Sequence, residues 1–348
     1  MRMILAILAL GSILSTAAAQ ARGGMEGRFL RLPDGISRYV EIRPPQAGRP
    51  TVVMVNGLVY ATERWNPFRQ ALAQKGYGLV NYDFRGQRWT LKEEAKNGHT
   101  PAFFEQGLNP TLLAEELRGV LDALGAKGPV VLVSLSYGSH IAAEFARLYP
   151  DRVLDVVFMA PLVVSLDHYD PQGMWVMMGL EWLKFTWGPV LGPYFHEQAY
   201  AQIYRTYYRQ NLVPAKIPAE LRHIPEIYRE SIFHLTRAAR DFDLRRYDFQ
   251  SLRGPRVHFM TAGEEEPLAL RDQLTAFERV RPASRGVLVH FTKAFHAIPD
   301  ADGARAAGLL DRILTRDSFL RPNTKFRMTD QGLELWNDAH AVTPHSSR

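Results

Sequence analysis

From residue 51 to 160, short unbroken apolar runs alternate with stretches where apolar side chains recur every three or four positions. Thr51 to Gly57 (TVVMVNG) reads as a strand buried on both faces. Trp65, Phe68 and Leu72 follow at helical spacing, and Gly76 closes that helix. Gly78 to Gly86 (GLVNYDFRG) is the next strand and its loop. Leu112, Leu113, Leu117, Val120, Leu121 and Leu124 form a helical stripe ending at Gly125. Val130 to Val133 is a strand, Ile141 to Tyr149 a helix, and Val153 to Met159 a strand again. Such a βαβ series predicts a mostly parallel twisted sheet flanked by helices, an α/β fold. Ahead of it, Asp34-Gly35 between two short strand-like runs, from Arg28 to Pro44, predicts a hairpin.

The alternation lapses between residues 162 and 250, where no strand pattern occurs and Trp, Tyr, Phe and Met are frequent at plausible helical spacing. It resumes with a strand at Arg256 to Gly263, a helix from about Pro267 to Arg279, a strand at Gly286 to Phe291 and a helix at Ala304 to Leu314. The expected organisation is a core of residues 28–161 and 251–316, a helical cap inserted at 162–250, and a C-terminal extension at 317–348. In that extension Phe319, Phe326, Leu333, Leu335 and Trp336 suggest a segment that packs back. No internal repeat or low-complexity tract is present.

Composition narrows the chemistry. The 348 residues are 46% hydrophobic and 22% charged, as in a soluble globular chain. The formal charge of +6 is spread without blocks of like sign, which argues against a nucleic-acid-binding stripe. With no cysteine there is no disulfide, thiolate metal site or cysteine nucleophile. The histidines show neither H-E-x-x-H nor H-x-H spacing, so no metal and no cofactor is expected. The first 19 residues have the layout of a cleavable signal peptide: Arg2, an apolar run from Ile4 to Leu14, then Ala17-Ala18-Ala19. That run is too short to span a bilayer, and no other segment is long and apolar enough. A secreted or periplasmic protein is expected.

The run VVLVSLSYGSH, from Val130 to His140, carries the candidate chemistry. An apolar strand that ends in Ser134-Leu135-Ser136-Tyr137-Gly138 and passes directly into a helix has the setting of a nucleophile elbow. The residues two away on each side of the presented hydroxyl must be small, because strand end and helix start converge there. Ser134 and Gly138 satisfy this around Ser136, whereas Leu132 would be too large a neighbour for Ser134. At this point the chain resembles the α/β-hydrolase family, with Ser134 in place of the first Gly of G-x-S-x-G. The likeness covers roughly residues 28 to 315.

The resemblance implies the remaining roles, in the family's chain order of serine, acid, histidine. T-A-G-E-E-E-P-L after the strand ending at Met260 looks like the family's acid loop. Glu266 stands in the acid position, with Glu264 and Glu265 beside it and Asp167 as another alternative. In F-T-K-A-F-H-A-I-P after the last strand, His296 takes the place of the family histidine, with Phe295 where Gly is usual. Asn56-Gly57-Leu58 replaces the family's His-Gly, and the backbone N–H groups of Leu58 and Tyr137 become the oxyanion hole. Asp83-Phe84-Arg85-Gly86 resembles the family's D-x-R-G turn and reads as a structural loop, with Arg88 and Thr90 where Gly and Ser are usual.

The implied activity is cleavage of a carboxylic ester through an acyl-enzyme, on a small-molecule substrate with an apolar acyl or alcohol group. Two rivals are a proline-iminopeptidase-like aminopeptidase, with Glu181, Glu197 or Glu226 of the cap receiving a free amine, and a hydrolase-like binding protein without turnover.

Overall fold

The apolar runs assemble into one ten-stranded sheet in a computed structural model that describes residues 24–58, 60–97, 108–165, 218, 222, 238–239, 242–252, 254–263 and 267–336. The strands are β1 (Glu26–Arg31), β2 (Ser37–Arg43), β3 (Thr51–Val55), β4 (Gly78–Tyr82), β5 (Val130–Leu135), β6 (Val153–Met159), β7 (Arg256–Ala262), β8 (Arg285–Phe291), β9 (Thr324–Thr329) and β10 (Gly332–Leu335). Their order across the sheet is β1-β2-β4-β3-β5-β6-β7-β8-β9-β10. From β4 to β9 every neighbouring pair is parallel; β1, β2 and β10 run antiparallel to their neighbours.

Burial on both faces accounts for the unbroken apolar runs. All residues of β4 and β5 are buried. Along β3, Val53 and Val55 face a core shared with α3 (Pro110–Ala123), α4 (Gly138–Leu148) and α5 (Pro267–Arg279). Val52 and Met54 face the opposite core, closed by α1 (Asn66–Gln74) and α7 (Gly303–Leu314). Each fully buried Val, Leu or Phe in these layers stabilises the fold by about 1.5–3 kcal/mol. The hairpin forms as expected: Gly35 has φ 79°, and Leu32 N–H donates to the Ile36 carbonyl.

Helix α2 (Arg88–Lys96) has no counterpart in the hydrophobic pattern. Its buried face is Thr90, Leu91 and Glu94, and it docks through polar contacts. Thr90 accepts from Tyr39 N–H at 2.9 Å, and Arg38 reaches Glu94 at 3.2 Å. Arg38 is fully buried and also pairs with Glu116 and Asp34, each at 2.8 Å. Between the two glutamates the charge is divided: the arginines hold Glu116 below the usual carboxylate range, while burial pushes Glu94 up to about 8.

The sheet also continues beyond residue 316, the expected end of the core. β9 joins β8 in parallel, and β10 turns back on β9. Only Phe326 and Met328 of this pair are buried, which is why its pattern is faint. Residues 1–19 and most of 162–250, including Glu181, Glu197 and Glu226, lie outside the described residues. The two ends of the latter segment meet: Leu244 N–H donates to the Val163 carbonyl at 2.7 Å. Ala238 and Ala239, described within that stretch, are buried in the same core as α3 and α4.

Candidate active site

Ser136 stands one residue past β5 with φ 53°, in the left-handed region. A residue with a Cβ holds that conformation at a cost of about 1–2 kcal/mol, so its surroundings must impose it. Here Ser136 N–H donates to the Met159 carbonyl at 3.0 Å. The Ser136 carbonyl accepts from Ser139 N–H at 3.0 Å, Ser139 Oγ at 2.5 Å and Leu162 N–H at 3.2 Å. Leu135 and Tyr137 are buried on either side, while Ser136 is partly exposed, so the turn presents one hydroxyl-bearing residue.

The demand for small flanking residues is met physically. A Cβ on Gly138 would stand 2.5 Å from the Val55 carbonyl oxygen and 2.7 Å from that of Asn56. Ser134 is fully buried, its Oγ 3.5 Å from the Val157 carbonyl.

The loop after β3 runs beside this turn. A Cβ on Gly57 would lie 3.5 Å from Ser136 Cβ and 3.4 Å from the Leu135 carbonyl oxygen. Among the described residues, no hydrogen bond from the Leu58 or Tyr137 N–H is present. What holds the loop in the absence of the family's histidine is a buried amide network that the sequence reading missed. Asn56 Oδ1 accepts from Trp65 Nε1 at 2.8 Å and Asn81 Nδ2 at 3.0 Å. Asn56 Nδ2 donates to the Tyr82 carbonyl at 3.1 Å and to Gln87 Oε1 at 3.2 Å. The one visible trace of this network is Asn81, a polar residue inside the otherwise apolar strand β4.

His296 lies in the loop after β8, partly buried, and its carbonyl accepts from Ile298 N–H at 2.9 Å. Two contacts tie this loop to the same rim of the sheet. Gly263, the last described residue before the three glutamates, donates its N–H to the Ala294 carbonyl at 3.2 Å; a Cβ there would come within 2.8 Å of that oxygen. Asp300, in α6 (Ile298–Ala301), pairs with Arg64 at 3.0 Å, joining the histidine loop to the turn that follows the Gly57 loop. The carboxyl ends of β3, β5, β7 and β8 are thus gathered at one edge. Glu264, Glu265, Glu266 and Asp167 lie outside the described residues.

The other described histidines, His140, His258 and His290, are engaged elsewhere. His140 is fully buried, with Nε2 2.6 Å from the Leu162 carbonyl, and burial drives its pKa down to about 4. His258 pairs with Asp155 at 3.2 Å, and Arg316 also holds Asp155. Both residues sit early in their strands, at the end of the sheet away from Ser136. His290 bonds Thr261 Oγ1 at 2.9 Å inside the sheet. Asp83 is buried, it accepts from Trp89 N–H, and burial raises it to about 7.

The model of the Alpha/beta hydrolase family matches residues 52–302, from the first parallel strand through the helix after His296. The chain belongs to the alpha/beta hydrolase family. Among its relatives, a 2-hydroxy-6-oxononadienedioate/2-hydroxy-6-oxononatrienedioate hydrolase from Paraburkholderia phymatum is 32% identical over 155 residues, which are 43% of this chain and 50% of that one. Epoxide hydrolase B of Mycobacterium tuberculosis is 32% identical over 114 residues, 33% of this chain and 29% of the relative. The matches thus span half or less of these relatives' length. In fold, an alpha/beta hydrolase enzyme from a Medee basin deep-sea metagenome superposes with a TM-score of 0.62 at 20% identity, covering 83% of this chain and 97% of that one. A thermophilic esterase from Thermogutta terrifontis gives 0.59 at 16% identity, covering 84% and 98%.

Proposed function

We propose that this chain is an exported serine hydrolase that cleaves a carboxylic ester through an acyl-enzyme intermediate. The observation that carries the reading is Ser136: a non-glycine residue held at φ 53° on a strand–helix turn, partly exposed between buried neighbours, with Gly57 packed against it. Membership of a family of hydrolytic enzymes supports hydrolysis. The choice of an acyl substrate rests on the hydroxyl.

In this reading Ser136 Oγ attacks the ester carbonyl while His296 accepts its proton. Glu266, or Glu264 or Glu265 beside it, keeps His296 in the right tautomer and stabilises its charged form. The N–H groups of Leu58 and Tyr137 receive the developing oxyanion, each donor being worth about 3 kcal/mol in the transition state. His296 then returns the proton to the leaving alcohol, and water releases the acyl group by the same sequence. No step calls for a metal or cofactor. The aromatic and methionine-rich insertion at 162–250 supports an apolar acyl or alcohol group, and the signal-like first 19 residues support export.

A fluorophosphonate probe tests the reading on the purified mature protein. Wild type and Ser134→Ala are labelled and Ser136→Ala is not. Absence of labelling at Ser136 in folded wild type would leave the binding-protein alternative standing. Faster turnover of amino-acid anilides than of p-nitrophenyl acyl esters would replace the esterase with the aminopeptidase.

A further inference from the structure

Gln87 is 5% exposed, and its side-chain amide faces the loop that runs past Ser136. Its Nε2 donates to the Gly57 carbonyl at 2.7 Å and, more weakly, to the Leu58 carbonyl at 3.4 Å. Its Oε1 accepts from Asn56 Nδ2 at 3.2 Å. Asn56 is fully buried and already bonded to Trp65, Asn81 and Tyr82, so the Gln87 amide has one orientation: oxygen toward Asn56, nitrogen toward Gly57.

The Gly57 carbonyl and the Leu58 N–H belong to the same peptide group. No peptide bond among the described residues is cis, and in a planar trans peptide these two groups point in opposite directions. Drawing the carbonyl onto Gln87 therefore turns the Leu58 N–H to the other side of the peptide, away from Gln87. Without that bond, rotation of the peptide is easy, because Gly57 lacks the Cβ that restricts its backbone. The rotated peptide would aim a carbonyl oxygen where the N–H had pointed.

We propose that Gln87 is a positioning residue that orients the Gly57–Leu58 peptide so that its N–H serves as an oxyanion-hole donor. The inference rests on the serine-hydrolase reading and deepens it. Gln87 touches neither substrate nor the reacting atoms; it acts through Leu58. The sequence offers no sign of this role, since Gln87 is 30 residues from Gly57 and lies in a turn.

The test is Gln87→Met, which keeps the length and volume of the side chain and removes the donor. On a p-nitrophenyl ester, kcat falls about 10- to 100-fold, approaching the loss of a whole oxyanion donor, while KM stays within about threefold. A trifluoromethyl ketone, whose adduct with Ser136 places an oxyanion in the hole, loses affinity by the same factor as kcat. General loosening of the fold would move KM and kcat together and would not single out the oxyanion-bearing adduct. Gln87→Asn, which withdraws the amide by one methylene, should act in the same direction and carries the test if the methionine variant does not fold. Unchanged kcat and ketone affinity in a folded variant overturn the role of Gln87 while the esterase reading stands. Wild type that neither labels at Ser136 nor cleaves esters overturns both.

Discussion

Replacing Gly138 by Ala probes the strand–helix turn more sharply than any change to Ser136, the proposed nucleophile. The added Cβ would lie 2.5 Å from the Val55 carbonyl oxygen and 2.7 Å from that of Asn56, whereas ordinary contact starts at 3.4 Å. Both obstacles are backbone atoms, so no side-chain rotation relieves them. Helix α4 and the end of β3 must part by about 0.9 Å to restore the ordinary distance. Overpacking of this kind costs about 1–3 kcal/mol, and a backbone clash belongs at the upper end. At about 2–4 °C per kcal/mol, Tm falls by roughly 4–12 °C. Activity falls further than stability, because Val55 and Asn56 lead directly into Gly57 and Leu58. Parting them from α4 pulls the Gly57–Leu58 loop away from Ser136, and in the proposed mechanism a 1 Å misplacement costs about 100-fold in rate. The control is Gly308→Ala in the interior of α7, where a Cβ meets nothing within 4 Å. That substitution should raise stability by about 0.5–1 kcal/mol and leave labelling unchanged. The assays are a thermal melt and the rate of fluorophosphonate labelling on the same samples. Gly138→Ala with an unaltered Tm and a labelling rate within threefold of wild type would refute the close approach on which the elbow argument depends.

Two further outcomes are expected. Ser136→Gly should be more stable than Ser136→Ala by about 1 kcal/mol in urea unfolding, since only glycine accepts φ 53° without strain; neither variant labels, and equal stability would remove the case for a strained nucleophile. His140, pushed down to about 4 by burial, folds as the neutral imidazole, while the unfolded chain takes up a proton below about 6.5. Its contribution is therefore complete above pH 6.5 and is lost as pH falls towards 4. Between those values wild type should lose up to about 1.4 kcal/mol per pH unit more than His140→Gln, measured by urea unfolding across that range. Asp83 works in the opposite sense: raised to about 7 in the folded state, it favours folding most at low pH and loses that contribution as pH rises from about 4 to 7. The comparison with the variant isolates the histidine, and parallel curves for the two proteins would show that His140 is not held neutral.

The parallel sheet was legible from short-range pattern, and the family from a resemblance carried by the order of motifs far apart in the chain. A strand buried on both faces is mostly apolar, so Thr51–Val55, Val130–Leu135 and Val153–Met159 declare themselves within a few residues. An elbow needs small residues two positions either side of its centre, so Ser136 could be chosen over Ser134 by size alone. Helix α2 gave no such signal, because it docks through Arg38 and Tyr39; the tail's apolar residues showed that it packs back but not as strands, because the β9–β10 pair buries only Phe326 and Met328.

The support of the candidate site could come only from tertiary structure. Asn56, Trp65, Asn81 and Gln87 have no common period and no shared element, and each is unremarkable in its own segment. They meet because β3 and β4 pair in parallel with Met54 opposite Asn81, which brings the two following loops together at one rim. A hydrophobic period reports which face of an element is buried. Which distant polar groups satisfy one another is decided by register and crossover, and those exist only once the sheet has formed.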